Sequence, residues 1–335
     1  MAASNISVVS TGVAIHDEVV PDQPISLSLE AVRCCICDRD DAEPLAVGED
    51  FEYATSRDSF LAMRCRGCGL VYLNPRPSLD ELSRIYPSNY HAFDFSEENF
   101  GFVYKVRRRL EARRALSWCK HLGDDARIID IGCGDGFHLG LLREFGKPAW
   151  KLEGVDNDQR AAESADRSGL KVHTGNVESL DLPHASYDIA FLIQTIEHVY
   201  DPPRVLRAVH HLLKPGGRVV IMTDNTASLD FKLFKGRHWG GYHFPRHWNL
   251  FNSSNLGLLA RKVGFEVEAL TTAVSPVNWV YSIRNTLVDL QAPRWLSNRF
   301  SLESTASLSV FTIFDTLNQL LGKGALLHAT LRKPV

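Results

Sequence analysis

The sequence predicts an α/β chain: a mostly parallel sheet with helices packed against it, preceded by a small cysteine-bearing module. Three observations carry that expectation. From residue 127 onward, apolar runs of strand length alternate with stretches of helical period, as in parallel sheets. The first of these runs, Arg127 to Ile131, empties into the glycine-rich turn Gly132-Cys133-Gly134-Asp135-Gly136. Upstream, two Cys-x-x-Cys pairs, Cys34/Cys37 and Cys65/Cys68, stand 27 residues apart. Composition agrees with a folded chain: 335 residues, 44% apolar and 23% charged, with 37 basic against 40 acidic residues. That length fits about two domains at ~150 residues each, and the near balance of charge argues against a general nucleic-acid binder. No run reaches the ~18 uninterrupted apolar positions of a membrane-spanning helix, so a soluble, cytoplasmic protein is expected.

Residues 1–30 hold no Lys or Arg and carry Asp17, Glu18, Asp22 and Glu30, which suits neither a secretory signal nor a transit peptide. They read as a leader or tail with one short strand and no assigned chemistry. Residues 31–78 read as a zinc-binding module. A two-residue spacing lets both thiolates of each knuckle face one tetrahedral ion, and so short a segment buries little core without a bound metal. Cys34, Cys37, Cys65 and Cys68 are the expected ligands; Cys35 could replace Cys34 by a register change. Four sulfur ligands leave no open position, so the zinc is structural. Buried free thiols or a redox dithiol would be the alternatives, but a redox site uses one pair and leaves the second unexplained.

Residues 79–126 read as linker and helical cap. Val71 to Pro77 make a short strand stopped by prolines, residues 78–85 a brief helix, and Tyr86 to His91 either a flap over a ligand or a pinned linker. Residues 100–121 read as a helix with seven basic residues against the one acid Glu111, a solvated face or an anion-binding one.

Residues 127–335 form the core. Glycines let backbone approach a ligand closely, and the helix that follows offers free amides to an anionic group. The second strand ends in Asp156, at the distance beyond the turn where a carboxylate holds a ribose. A dinucleotide fingerprint, Gly-x-Gly-x-x-Gly, fails in both frames, ending at Phe137 from Gly132 and at Leu139 from Gly134. Asp-x-Gly-x-Gly-x-Gly fits instead.

That motif, with Gly175-Asn176-Val177, Tyr187-Asp188-Ile189-Ala190, Ile196-Glu197-His198-Val199, Leu213-Lys214-Pro215-Gly216-Gly217 and Gly264-Phe265 following in order, resembles the class I S-adenosylmethionine-dependent methyltransferases over about residues 127–272. The resemblance implies a Rossmann-like seven-stranded methyltransferase sheet, mostly parallel with its last strand antiparallel. It implies that Asp130, Gly132, Gly134 and Gly136 cradle the methionine part of S-adenosylmethionine. Asp156 would hold the ribose, Asn157 would lie beside the adenine, Asn176 and Val177 would flank its other side, and Gln194 would lie near the sulfonium. Many relatives have Asp at position 176; the Asn carbonyl can still accept from the exocyclic amine. Asp188 reads as a strand-entry residue, Lys214 to Gly217 as a helix-to-strand turn, and Cys119 and Cys133 as packing residues.

On the acceptor side, a base matters where the acceptor loses a proton. His198, His243 and His247 are the candidates, the latter two in the His- and aromatic-rich loop 236–248, where relatives carry a triplet like Pro245-Arg246-His247. Some relatives that methylate quinone precursors hold a metal with acids near this Glu-His pair; the sequence offers no complete ligand set there. Residues 266–274 and 325–332 read as the sixth and seventh strands, with a helical insertion near 275–322 that suggests an apolar acceptor, a homodimer face or peripheral membrane contact. The function expected is methyl transfer to a small-molecule acceptor: a specialised metabolite, a sugar or a lipid-like compound. The alternatives are an RNA methyltransferase using the zinc module to bind nucleic acid, and a non-catalytic cofactor-binding partner subunit.

Overall fold

The computed structural model describes residues 26–87, 97–160, 163 and 169–335. The leader up to residue 25 and residues 88–91 of the flap-or-linker segment lie outside the described residues, as do residues 92–96. The N-terminal part contains β1 (Leu29–Glu30), β2 (Ala42–Gly48), β3 (Phe60–Cys65), β4 (Val71–Leu73), β5 (Arg76–Pro77) and the short α1 (Leu82–Ile85). β1 pairs antiparallel with β5, so the end of the acidic leader is sewn to the far end of the cysteine segment. β2, β3 and β4 form an antiparallel meander. The helix expected over 100–121 is α2 (Glu97–Trp118). Its basic side is partly neutralised: Arg108 pairs with Glu144 and Arg114 with Glu111.

The core then runs β6 (Arg127–Ile131), α3 (Phe137–Phe145), β7 (Lys151–Asp156), β8 (Lys171–Thr174), β9 (Tyr187–Ile193), α4 (Pro202–Leu212), β10 (Leu213–Asp224), α5 (Leu229–Phe234), β11 (Asn249–Leu250), α6 (Ser253–Lys262), β12 (Glu266–Ala273), α7 (Val277–Asp289), α8 (Arg294–Ser297), α9 (Thr305–Leu320) and β13 (Leu326–Arg332). The seven-stranded sheet has the order β12-β13-β10-β9-β6-β7-β8. β13 is antiparallel to both neighbours, and the pairs from β10 across to β8 are parallel. Central strands buried on both faces need continuous apolar runs, and Ile128, Ile129, Ile189, Phe191, Val220 and Ile221 are all at most 1% exposed.

Local chemistry sets the helix starts. Asp201 caps α4 by accepting from the Arg204 amide, with Pro202 at the first helical position, where its missing N–H costs nothing. Asn252 and Asn255 close a reciprocal capping box on α6. Asp188 accepts from the Arg127 amide and, at 2.7 Å, from Lys214 Nζ, tying the entry of β9 to β6 and β10. The Lys214-Pro215-Gly216-Gly217 stretch belongs to β10 itself, as an irregularity between Leu213 and Arg218, with Gly216 at φ 76°.

The cysteine module is joined to the core rather than strung before it. β11, from beyond the fifth core strand, pairs antiparallel with β4 and extends the meander. Cys34, Ile36, Leu70 and Tyr72 share one buried cluster with Leu206, Val209, Leu256 and Leu259. The chain order β6, β7, β8 runs outward on one side and resumes with β9 and β10 on the other. A reversal of this kind opens a crevice at the carboxyl ends of β6 and β9.

Candidate active site

Three groups of predicted residues meet the structure differently. Along the crevice, the turn after β6 places Gly132, Gly134 and Gly136 at φ 73°, 54° and 80°, where a side chain would strain the backbone. A Cβ on Gly132 would lie 2.5 Å from the Thr195 methyl, so the turns after β6 and β9 are in contact. Asp156 sits at the end of β7, its two oxygens accepting from the amides of Gly134 (2.8 Å) and Asp158 (2.9 Å). Asp130, 1% exposed, keeps Oδ2 without a hydrogen-bond partner among the described residues. Burial pushes its carboxyl up to about 7; His138 pulls it back while Asp156 and Asp135 push it further. Burial also raises Asp135 and Asp156. Three carboxyl groups with raised affinity for a proton therefore face one glycine turn, a surrounding that a cation would relieve.

Asn157, Asn176 and Gln194 are exposed along this rim, and Val177 is buried beneath it. Gln194 has φ 51°, an uncommon conformation for a residue with a side chain. Its amide donates to Met222 O at 2.8 Å, which holds the turn after β9 against β10.

The second group is the histidines, and the structure brings all three together. The His198 and His247 ring centroids are 4.5 Å apart, His243 and His247 4.9 Å, and His198 and His243 6.4 Å. Residues 236–248 are less a surface loop than a buried wall, with Trp239, Tyr242, Phe244 and Trp248 each at most 5% exposed. Each imidazole is oriented through Nδ1. His247 Nδ1 meets Gly241 O at 2.8 Å and Asp224 at 3.1 Å, at the end of β10. His243 Nδ1 meets Glu52 at 2.8 Å. His198 Nδ1 lies 3.0 Å from the Tyr86 hydroxyl and 3.3 Å from Arg246 O. A carbonyl only accepts, so Nδ1 of His247 carries hydrogen; the same holds for His198 where it donates to Arg246 O, which leaves the lone pair of that neutral ring on Nε2.

Charge separates them. Burial, helped by His247 and His243, holds His198 well below the ordinary histidine value. Burial also opposes protonation of His247, but hydrogen bonding to Asp224 and the charges of Asp224 and Glu197 raise it overall. Glu197 is 0% exposed, and neither carboxyl oxygen has a hydrogen-bond partner among the described residues. Burial lifts its carboxyl to about 7, with His247 pulling down and Asp224 pushing up. Glu197, His198 and His247 also offer ligand atoms within 4.8 Å of one another. Glu197 and His198 are neighbours in the chain, and His247 joins the pair only through the fold.

The residues missed by sequence reasoning come largely from the β2–β3 loop of the cysteine module. Asp50 and Arg246 form a fully buried ion pair at 2.8 Å, with Arg246 Nε also donating to Ile85 O. Tyr53 lies against the Arg246 guanidinium at 4.5 Å, and Thr55 donates to Asp50. Arg246 had appeared only within a motif, and the loop residues carry no motif at all. Asp224 alone had a legible signal, an acid ending an apolar strand.

The third group is the cysteines. Sγ of Cys34 and Cys68 are 3.4 Å apart, as are those of Cys37 and Cys65, and Cys37 and Cys68 are 3.9 Å apart. The four thiols lie within 4.8 Å of one another. Zinc–sulfur bonds of ~2.3 Å in a tetrahedron place sulfurs ~3.8 Å apart, so the donor set fits such an ion. Cys35 is turned away and donates to Asn249 Oδ1 at 3.4 Å, which removes the register ambiguity. Cys119 and Cys133 are buried among apolar neighbours.

Comparison with known proteins agrees with the crevice. Residues 102–270, half of the chain, match the methyltransferase domain family model. A ubiquinone biosynthesis O-methyltransferase of Cereibacter sphaeroides is 30% identical over 166 residues, covering 47% of this chain and 67% of that enzyme. An uncharacterised 37.1 kDa protein in transposon TN4556 of Streptomyces fradiae is 34% identical over 106 residues, 30% of this chain and 31% of that one. The chain thus spans under a third of the one relative and two thirds of the other. A solved geranyl diphosphate C-methyltransferase from Streptomyces coelicolor superposes with a TM-score of 0.47 at 16% identity, covering 71% of this chain and 81% of that one. Glycine turn, carboxylate rim and family match converge, and the chain belongs to the methyltransferase domain family in its class I, S-adenosylmethionine-dependent form.

Proposed function

We propose that the protein moves a methyl group from S-adenosylmethionine to a hydroxyl of a small-molecule acceptor, with His198 receiving the hydroxyl proton. The observation that carries this reading is a neutral imidazole, oriented through Nδ1, four residues beyond Gln194 at the rim of the cofactor crevice. The cofactor, when bound, supplies a methyl group made electrophilic by the sulfonium. Asp130, Gly132, Gly134 and Gly136 would hold its methionine part, the unpartnered Asp130 oxygen suiting its ammonium group. Asp156 would take the ribose hydroxyls, with Asn157, Asn176 and Val177 around the adenine and Gln194 towards the sulfonium.

His198 Nε2 would accept the proton as the acceptor oxygen bonds to carbon. His247, held by Asp224, would carry positive charge beside Glu197, and His243 would complete the wall under Glu52. The four-cysteine cluster would hold a structural zinc that fixes the loop bearing Asp50 and Glu52. The acceptor, whether metabolite, sugar or lipid-like, would be a small molecule in the cytoplasm. This use of the module, as a wall of the site, is what disfavours the RNA reading. A cofactor-binding partner subunit without catalysis would have no need of three oriented imidazoles.

The test is transfer from methyl-labelled S-adenosylmethionine to fractionated small metabolites and to total RNA, with wild type and His198→Ala in parallel. Label is expected in the small-molecule fraction, with turnover lowered by roughly 10²–10⁴ in the variant, the range of a general base. Because His198 is held below the usual histidine range, its protonation should lower turnover at saturating cofactor only below about pH 6.5. Label in RNA, or unchanged turnover in His198→Ala, contradicts the proposal. A second reading rests on the ligand atoms of Glu197, His198 and His247: a divalent cation there would polarise the acceptor hydroxyl. Activity lost to a mild chelator and restored by magnesium, with the cysteine-bound metal retained, would favour it.

Cofactor binding also has a proton signature. Asp130 is partly protonated near pH 6.5, and an arriving ammonium or sulfonium favours its charged form, so binding should release protons. Calorimetric titrations in buffers of different ionisation enthalpy should show that release, and Asp130→Asn should lose it.

A further inference from the structure

We propose that the outward face of α9 is the interface of a homodimer, each copy laying this helix against the same helix of the other. The helix is amphipathic in the reverse sense. Its inward side carries Asp315 at 0% exposure, which accepts from the Ser275 and Ala325 amides and the Trp279 indole, and Asn318 at 6%. Its outward side carries the apolar residues, with Ile313 and Leu317 67% and 58% exposed and Leu320 78%.

Val310, Ile313, Phe314, Leu317, Leu320 and Leu321 follow three- and four-residue steps, so they share one face of the helix. A helix in a solvated protein turns such a stripe towards the core; here the core side is taken by Asp315 with its three hydrogen bonds, by Asn318 and by Phe311 stacked on Trp279. At roughly 200 Å² for a fully exposed large side chain, the exposed fractions leave on the order of 700 Å² per copy. Two copies would bury about 1,400 Å², within the range of stable protein–protein interfaces.

The charge pattern selects the occupant. Asp315 is the only ionisable residue of α9, and it faces inward, so the stripe itself carries no charge. A charged partner finds no complement there. An anionic membrane surface is drawn by Lys and Arg alongside the apolar face, and the helix has none. An identical uncharged stripe is its own complement, and a two-fold axis makes such a contact close on itself. An antiparallel arrangement would set the Val310 end of one copy at the Leu321 end of the other, along about 16 Å of helix.

The experiment is sedimentation velocity on the full chain across micromolar concentrations, compared with Ile313→Glu/Leu317→Glu and, separately, Leu320→Lys. A wild-type dimer is expected, and both variants should be folded monomers with unchanged S-adenosylmethionine affinity, since each position is more than half exposed, and with a thermal midpoint that no longer rises with protein concentration. A monomeric wild type overturns the proposal, as does a dimer that survives both sets of substitutions. A monomer that co-sediments with phosphatidylcholine vesicles would assign the stripe to lipid and overturn it. So would a monomer that dimerises only after removal of residues 1–25, which would assign the stripe to the leader.

Discussion

Replacing Arg246 with alanine is expected to destabilise the folded chain by about 3–5 kcal/mol, the cost of leaving a buried charge without its partner. Arg246 and Asp50 are both 0% exposed in their side chains, so no water is at hand to replace the lost contact. Burial alone would raise Asp50, but the Arg246 charge and hydrogen bonds outweigh it and hold the carboxyl at about 2. In the wild type, this pair's contribution is present above the ordinary Asp value near 3.8 and fades as pH falls towards 2. In Arg246→Ala the sign reverses. Asp50 becomes an unpaired buried acid that resists ionisation, so the variant should lose further stability as pH rises from about 4 towards neutrality. Urea unfolding at pH 5 and pH 8 measures this directly, with a wider gap from wild type at pH 8. The double change Asp50→Asn/Arg246→Met should recover part of the loss, because an apolar side chain beside a neutral amide leaves no buried charge.

Loss of the zinc proposed for the four-cysteine cluster should be the most disruptive single treatment. In small zinc domains the apparent binding energy is about 10–16 kcal/mol and much of it is folding energy. Here the same segment holds the loop that carries Asp50 to Arg246 and Glu52 to His243. Purified protein is expected to contain about one tightly held zinc per chain, read by elemental mass spectrometry. Cys68→Ser should lower zinc content and thermal midpoint, and should also cut methyl transfer, although the cysteine is no part of the crevice. Full activity in zinc-free protein would contradict this coupling. Cofactor affinity should suffer less than turnover, because the glycine turn and Asp156 stand on β6 and β7, away from the module.

The core was readable because each of its features is local. Asp130 to Gly136 announce a turn within seven residues, and apolar runs such as Ile189 to Ile193 announce buried strands by composition alone. The meeting of the four cysteines was readable for the same reason, since each pair is a two-residue spacing. What could not be read depends on which residues meet across distance. Glu52 sits in a Gly-Glu-Asp-Phe-Glu-Tyr turn that resembles any exposed hairpin, and only the docking of β4 against β11 brings it to His243. His247 looked like one loop histidine among several until the fold placed it beside Glu197. The ranking of the three imidazoles was also hidden, because it is set by Asp224 and by burial. The basic helix left two readings open, since the acid that meets Arg108, Glu144, lies on another element.

The two-residue strand β11 has a consequence for how this chain comes into being. It closes a sheet begun far upstream in the chain, and the Asp50–Arg246 pair beside it joins residues 196 positions apart. During translation at about 5–20 residues per second, the cysteine hairpins emerge first and wait many seconds with one edge open and a carboxylate without its cation. Capturing a metal early would give that nascent segment its own reason to hold shape through the interval. By the same logic, the two parts are not interchangeable cassettes. Grafting the cysteine segment onto another catalytic core would carry over an unfinished sheet, and cutting it away would strip Arg246 of its carboxylate and of the Tyr53 ring that covers it.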